Sequence, residues 1–280
     1  MIIICIQGGL GNQMFQYALF YKLKTLGKEV AIDTSLYKTG VEKREFRLNI
    51  FPNIYYEQAT MEVCDKLRGK YDNFFEKVRR KFGLRKYYFR EVRPGFYDKI
   101  YGWNTMYLDG YWQSERYFRE IKKDILRQFE FPQMLGEENI KMMSWIVGCN
   151  SVSVHIRRGD YLNNKKRYGN IWENGYYEKA IKYIRNKVDS PKFFFFSDDI
   201  EWVKQNYKND DFIYVDNEKE NDYIDMQLMS MCKNNIIANS SYSWWGAWLN
   251  SREDKIVVAP AQWNLDTDNT DIFCDEWITI

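Results

Sequence analysis

The sequence predicts an α/β protein of two Rossmann-like lobes with a cleft between them. Three observations carry that expectation. The chain opens with a short apolar run, a glycine turn and a helix-spaced segment, a βαβ start that points to a parallel sheet. The second half again alternates apolar runs with helix-spaced segments. Between the halves, Pro132, Gly136 and Gly148 interrupt the pattern, which places the lobes at residues 1–148 and 149–280.

Taken in order, residues 1–7 read as a buried strand and Gly8-Gly9-Leu10-Gly11 as a tight turn. Met14, Phe15, Ala18, Leu19, Leu23 and Leu26 recur at helical spacing, and Gly27 closes that helix. A second strand covers residues 30–32. Residues 66–93 change character: eleven lysines and arginines crowd there, with Phe74, Phe75, Val78 and Phe82 interleaved at helical spacing. This reads as a helix with a solvated basic face, or as a surface that rests on anionic lipid or receives a charged acceptor. A strand is expected at 107–112, a helix from Ser114 to Phe129, and one helix between Pro132 and Gly148.

In the second half, strands are expected at 152–156, 192–196, 212–215, 235–238 and 256–259. Helices are expected at 173–188, 200–207, 223–233 and 243–250.

Composition removes several function classes. The 41 lysines and arginines nearly cancel 39 acidic residues, which argues against a nucleic-acid partner. Aromatic residues reach 18%, which suits a core and also sugar binding, because Trp and Tyr offer apolar faces with polar tips. Cys5, Cys64, Cys149, Cys232 and Cys274 are scattered without a CxxC pair, as in a reducing compartment. With a single histidine, His155, they give no framework for a transition metal. The apolar start is too short for a signal peptide, and no stretch reaches the roughly 20 apolar residues of a membrane span.

Chemistry concentrates where strands end. Ser153-Val154-His155-Ile156-Arg157-Arg158-Gly159-Asp160-Tyr161 puts two guanidinium groups beside the lone histidine at a strand exit. Ligands of open α/β sheets bind at that end, and guanidinium forks match phosphate oxygens in pairs. A surface ion-pair cluster is the alternative. The turn at residues 8–11 presents backbone donors at a helix start, suited to anions or polar sugar groups, and Asn12 and Gln13 could face the cleft. Ser197-Asp198-Asp199 ends a run of four phenylalanines; it caps the next helix, lines a site, or does both. Asn239-Ser240-Ser241-Tyr242-Ser243 lies between a strand and a helix, where hydroxyls and free N–H groups hold a diphosphate without a metal. The adjoining Trp244, Trp245 and Trp248 read mainly as packing. Asp266-Thr267-Asp268 has the form of a metal-binding Asp-x-Asp, in a loop whose composition favours a turn.

Four of these segments, residues 8–13, 155–161, 196–199 and 239–246, together resemble the bacterial α-1,2-fucosyltransferases, of the glycosyltransferase family 11 type. The resemblance spans nearly the whole chain. It implies a GT-B fold, two Rossmann-like domains facing a central cleft, with the acceptor on the N-terminal side and the GDP-sugar on the C-terminal side. It also implies GDP-fucose as co-substrate and no obligatory metal or other cofactor. Carried over residue by residue, His155 would touch the guanosine end and Arg157 would neutralise the diphosphate, with Arg158 supporting it or sharing that work. Asp225 would read guanine, and Asn239, Ser240 and Ser241 would hold phosphate. Asn12 and Gln13 would match the polar pair near the transferred sugar, Asn12 joining Arg157, Arg158 and Asp160 as a catalytic candidate, and Gly11, Gln13 and Ser197 would join the donor contacts. The general base does not carry over. Where related enzymes place a glutamate, this chain has Asn163, Asn164, Lys165 and Lys166. Asp160 remains, as a base or as a brace for the arginines.

The expected activity is inverting transfer of L-fucose from GDP-fucose to a galactoside hydroxyl in α-1,2 linkage, in surface polysaccharide or oligosaccharide synthesis such as O-antigen or capsule. The alternatives are a transferase of another nucleotide sugar and a non-catalytic carbohydrate-binding protein. The expected partner is a galactose-terminated glycan, with a lipid-linked form left open. The expected location is the cytoplasm, with peripheral contact at the inner face of the membrane also left open.

Overall fold

The chain folds as two units, Met1–Glu130 and Phe131–Ile280, in a computed structural model that describes residues 1–70, 72–216, 222–267 and 270–280. Each unit is a parallel sheet with helices.

In the first unit, β1 (Ile2–Cys5), α1 (Leu10–Thr25) and β2 (Val30–Asp33) form the expected opening. There follow α2 (Ser35–Lys38), α3 (Met61–Arg68), α4 (Phe74–Lys81), β3 (Tyr88–Arg90), β4 (Met106–Asp109) and α5 (Lys122–Gln128). The sheet order is β2-β1-β4-β3, all parallel. All four residues of β1 are buried, because a central parallel strand is covered on both faces and therefore reads as a continuous apolar run.

Two expected helices are broken. Residues 66–93 are not one helix: Gly69 and Gly83 adopt φ of 77° and 66°, a left-handed backbone that ends a helix, and β3 emerges from the same stretch. The segment after Ser114 forms 3₁₀ turns at Glu115–Tyr117 and Arg119–Ile121 before α5. Phe118, at φ −142°, separates them.

In the second unit, α6 (Glu137–Gly148) precedes β5 (Ser151–Ile156), α7 (Lys165–Tyr168), α8 (Tyr176–Arg185), β6 (Lys192–Ser197), α9 (Ile200–Asn206) and β7 (Phe212–Tyr214). Then come α10 (Asp222–Met231), β8 (Asn234–Ile236), α11 (Ser241–Trp248), β9 (Val257–Ala259) and β10 (Ile278–Thr279). The sheet order is β10-β9-β8-β5-β6-β7, again parallel. The phenylalanine run alternates across β6. Phe193 and Phe195 join the core with Tyr177 and Ile181 of α8 and Val203 of α9, while Phe194 meets Trp145 of α6 at 5.6 Å. That last contact explains why the division between units falls at residue 130, earlier than the expected 148. Helix α6 covers the second sheet and belongs with it.

Candidate active site

In the second unit the chain builds β5, β6 and β7 outward in one direction, then returns to lay β8, β9 and β10 on the other side of β5. The order reverses between β5 and β8. In such sheets the loops leaving neighbouring strands part there and open a crevice at the carboxyl ends. His155, Arg157, Asn239, Ser240 and Ser241 all lie at or just beyond those two strand ends.

The lone histidine sits at the carboxyl end of β5, beside this reversal. Its side chain is buried, its ring lies 5.6 Å from that of Tyr242, and Nδ1 has no hydrogen-bond partner among the described residues. Burial, and next the charge of Arg157, push its pKa down to about 3, so the imidazole is neutral at physiological pH. Asn239 repeats the pattern. Its Nδ2 donates to the carbonyl oxygens of Tyr168 (2.8 Å) and Trp263 (3.0 Å), while the buried Oδ1 has no partner among the described residues. Buried polar atoms are almost always paired in folded proteins, and these two unpaired ones both fall at or just beyond the ends of the strands that flank the switch point.

The start of α11 is held firmly. Ser240 is the N-cap and its Oγ accepts from the Tyr242 N–H at 3.4 Å, while Ser243 Oγ accepts from the Ala238 N–H at 3.2 Å. The Tyr242 hydroxyl accepts from the Met226 N–H at 3.0 Å, joining this turn to α10 one residue from half-buried Asp225. Tyr161 donates to the Asn239 carbonyl at 2.9 Å and stacks on Tyr168 at 4.0 Å. The three tryptophans of α11 are fully packed, as the plainer reading expects; Trp244 Nε1 donates to the Ile272 carbonyl at 2.6 Å.

Strand register explains the arginine pair. His155 lies beside Phe196 and Ile156 beside Ser197, so one step further Arg157 meets Asp198 and Arg158 meets Asp199. Arg157 Nη1 is 3.1 Å from Asp198, and its Nη2 is 2.7 Å from Asp160. Burial works against the Arg157 charge, but Asp198 and Asp160 outweigh it and hold its pKa above the usual arginine range. Arg158 pairs with Asp199 and lies over the Trp202 ring at 4.7 Å. Both arginines are therefore held in place by acids, but at the ligand end of the sheet. Arg157 is the more exposed of the two.

Sequence reasoning missed the role of Asp198. Besides facing Arg157, it accepts the N–H groups of Arg158 (2.9 Å) and Gly159 (3.0 Å) and clasps the whole turn. Asp199 is the helix cap, accepting from Trp202, and Ser197 Oγ accepts from the Asp199 N–H at 3.0 Å. Asp160 braces Arg157. Asp266 lies 3.8 Å from Arg167, and Asp268 is outside the described residues. Among the described residues, no three His, Cys, Asp or Glu side chains gather as a metal-ion site.

The first unit has its own reversal, between β1 and β4. Here Gln13 departs from the expectation that it faces a ligand. It is fully buried, donates to the carbonyls of Gly8 (2.9 Å) and Glu45 (2.8 Å) and accepts from the Arg47 N–H (2.8 Å). It fastens a distant loop to the glycine turn. Asn12 stays partly exposed and accepts from Gln113 Nε2 at 2.7 Å; Gly11 is buried in the first turn of α1. Beyond β3, Glu91 accepts from the N–H groups of Tyr111 (2.6 Å) and Trp112 (3.2 Å). Burial outweighs those amides and pushes its pKa up to about 7. Nothing local in the sequence singles Glu91 out; its position after a strand of the sheet is the signal.

Comparison with known proteins agrees with this architecture. The family model described as Glycosyl transferase family 11 matches residues 1–280. An O-antigen biosynthesis glycosyltransferase WbnK of Escherichia coli is 37% identical over 302 residues, covering 99% of this chain and 99% of that protein. An alpha-1,2-colitosyltransferase of Escherichia coli is 35% identical over 292 residues, covering 100% and 98%. The solved structure of POFUT1 in complex with GDP is 13% identical, with a TM-score of 0.51 over 92% of this chain and 97% of that one. That likeness shows the fold type, GT-B.

Proposed function

The chain belongs to glycosyltransferase family 11, and from that membership we propose that it is an inverting transferase moving L-fucose from GDP-fucose to O2 of a galactoside. The observation that carries the reading is the pair of orphaned buried atoms, His155 Nδ1 and Asn239 Oδ1, at a switch point that also presents Arg157 and the serine-lined start of α11. Neutral His155 and Asp225 take the guanosine, the carboxylate accepting two N–H bonds from the guanine edge. Arg157, Ser240, Ser241 and the free N–H groups of α11 take the diphosphate.

In the reaction the acceptor oxygen attacks C1 of the sugar from the face opposite GDP. The C1–O bond breaks and its electron pair leaves on the β-phosphate. That developing charge is the main barrier, and Arg157 with the helix start stabilises it electrostatically, without a metal ion in the proposal. The acceptor proton needs a base. Asp160 is engaged with Arg157, whereas Glu91 of the first unit, with its value near 7, has the basicity this task calls for. A galactose-terminated acceptor for surface-glycan assembly fits the O-antigen relative.

A second reading keeps the chemistry and changes the sugar: the alpha-1,2-colitosyltransferase relative favours transfer of colitose, the 3-deoxy counterpart of fucose, from its GDP derivative in this reading. The test is transfer to a β-galactoside from GDP-fucose, GDP-colitose or UDP-galactose, with and without EDTA. Fucose transfer that EDTA leaves intact supports the first reading, and transfer from GDP-colitose alone selects the second. Glycan binding without transfer, unchanged in Arg157→Ala, would make the protein a carbohydrate binder instead.

A further inference from the structure

Helix α4 is inside out. Its only buried side chain is Arg80, whereas Phe74 and Phe75 face solvent. Arg80 explains how the helix stays attached: Nη1 donates to the carbonyl oxygens of Arg68 (3.1 Å), Gly69 (3.2 Å) and Lys70 (3.2 Å), capping the end of α3. The apolar residues are not needed for that contact. Phe74, Phe75, Phe82 and Leu84 are between 67% and 75% exposed. An amphipathic helix of a soluble domain buries its apolar stripe, so this arrangement costs free energy unless something covers the rings.

Charge identifies what covers them. Residues 66–93 hold eleven basic side chains against Asp72, Glu76 and Glu91, a surplus of eight, while the whole chain carries +2. The other 252 residues therefore carry −6. Glu76 is spent on Arg85 (2.9 Å) and Arg79 (3.2 Å), and Arg68 and Arg80 are buried, yet Lys66, Lys70, Lys77, Lys81, Lys86 and Arg90 of the same stretch remain exposed, Lys81 lying 5.9 Å from the Phe82 ring. Protruding aromatics interleaved in sequence with exposed, flexible cations match an anionic bilayer, where rings enter the acyl boundary and ammonium groups meet headgroup phosphates.

We infer that α4 and the turn after it dock the protein on an anionic phospholipid surface, through Phe74, Phe75, Phe82 and Leu84 with their flanking lysines. The inference stands independently of the sugar chemistry. It is tested by sedimentation of the full chain with vesicles of equal parts phosphatidylglycerol and phosphatidylcholine, against pure phosphatidylcholine. Binding to the anionic vesicles alone, weakened by salt, is expected. Phe74→Ser/Phe75→Ser/Phe82→Ser and, separately, Lys77→Glu/Lys81→Glu should each lower that binding about tenfold or more while leaving transfer to a soluble galactoside unchanged. Equal binding to both vesicle types, or unaltered binding by the ring variant, overturns the inference. So does a dimer in sedimentation velocity that the ring variant abolishes, since a second copy would then cover the face. Vesicle binding reads no sugar, so its failure leaves the transferase reading untouched, and the reverse holds.

Discussion

Arg157 and Asp198 face each other across the ends of neighbouring parallel strands, with Nη1 3.1 Å from Oδ2. The pairing follows from register alone, and the same aspartate holds the backbone of Arg158 and Gly159. The guanidinium is thus pointed before any ligand arrives, which in the proposed transfer removes reorganisation from the step in which the nucleoside diphosphate leaves. Arg157→Lys keeps the charge and loses the planar fork. Its kcat/KM should fall roughly 100-fold or more, about 3 kcal/mol, with little change in the unfolding midpoint. Steady-state kinetics beside a denaturation curve reads both.

His155 should leave no step in the pH–rate profile near neutrality, because burial and Arg157 hold its pKa at about 3. Its stability effect has a definite sign. In the unfolded chain histidine takes a proton as pH falls below about 6.5, while the folded site refuses it until about 3. Stability therefore declines as pH falls through that window, and His155→Gln should remove part of the decline. Urea unfolding at a series of pH values between 7 and about 4 measures it.

Glu91 works in the opposite sense. Its folded pKa is raised to about 7 from 4.5, so the carboxyl is protonated more readily in the fold than out of it. The associated stability is complete below 4.5 and is lost as pH rises through 7. Glu91→Gln should flatten that loss. It should also lower kcat by roughly 100-fold or more and remove the acidic limb of the rate profile near 7, while GDP affinity is unchanged. Nucleotide titration and a pH series on the variant separate a base from a merely structural carboxyl.

Gly110 leaves no room for a methyl group. A Cβ there would lie 2.5 Å from Glu91 Cβ and 2.9 Å from the Trp112 ring. Gly110→Ala should cost roughly 1–3 kcal/mol of stability by overpacking and displace Glu91 with it. The expected signature is a lower unfolding midpoint together with a shifted acidic limb.

Much of this was legible in the chain because it is local. The apolar run of β1 and the four phenylalanines of β6 announce buried parallel strands, and the serine-rich junction before α11 announces a helix start at a strand end. The illegible parts are contacts between distant segments. β3 is three residues long, too short for periodicity to show inside a basic stretch. α6 carries an apolar face but no mark of which sheet it covers. Gln13 looks like a ligand contact until the backbone at Glu45 and Arg47 takes its amide. Asp198 gains its partner only when β5 and β6 align.

The uneven distribution of charge reaches past docking. A net charge of +2 is the sum of a strongly basic tenth of the chain and an acidic remainder. On a column this molecule should be retained by both cationic and anionic resins, at a pH where its formal balance suggests it would pass through either. At low ionic strength the same asymmetry draws the basic segment of one molecule toward the acidic body of the next, so clear concentrated solutions should require salt.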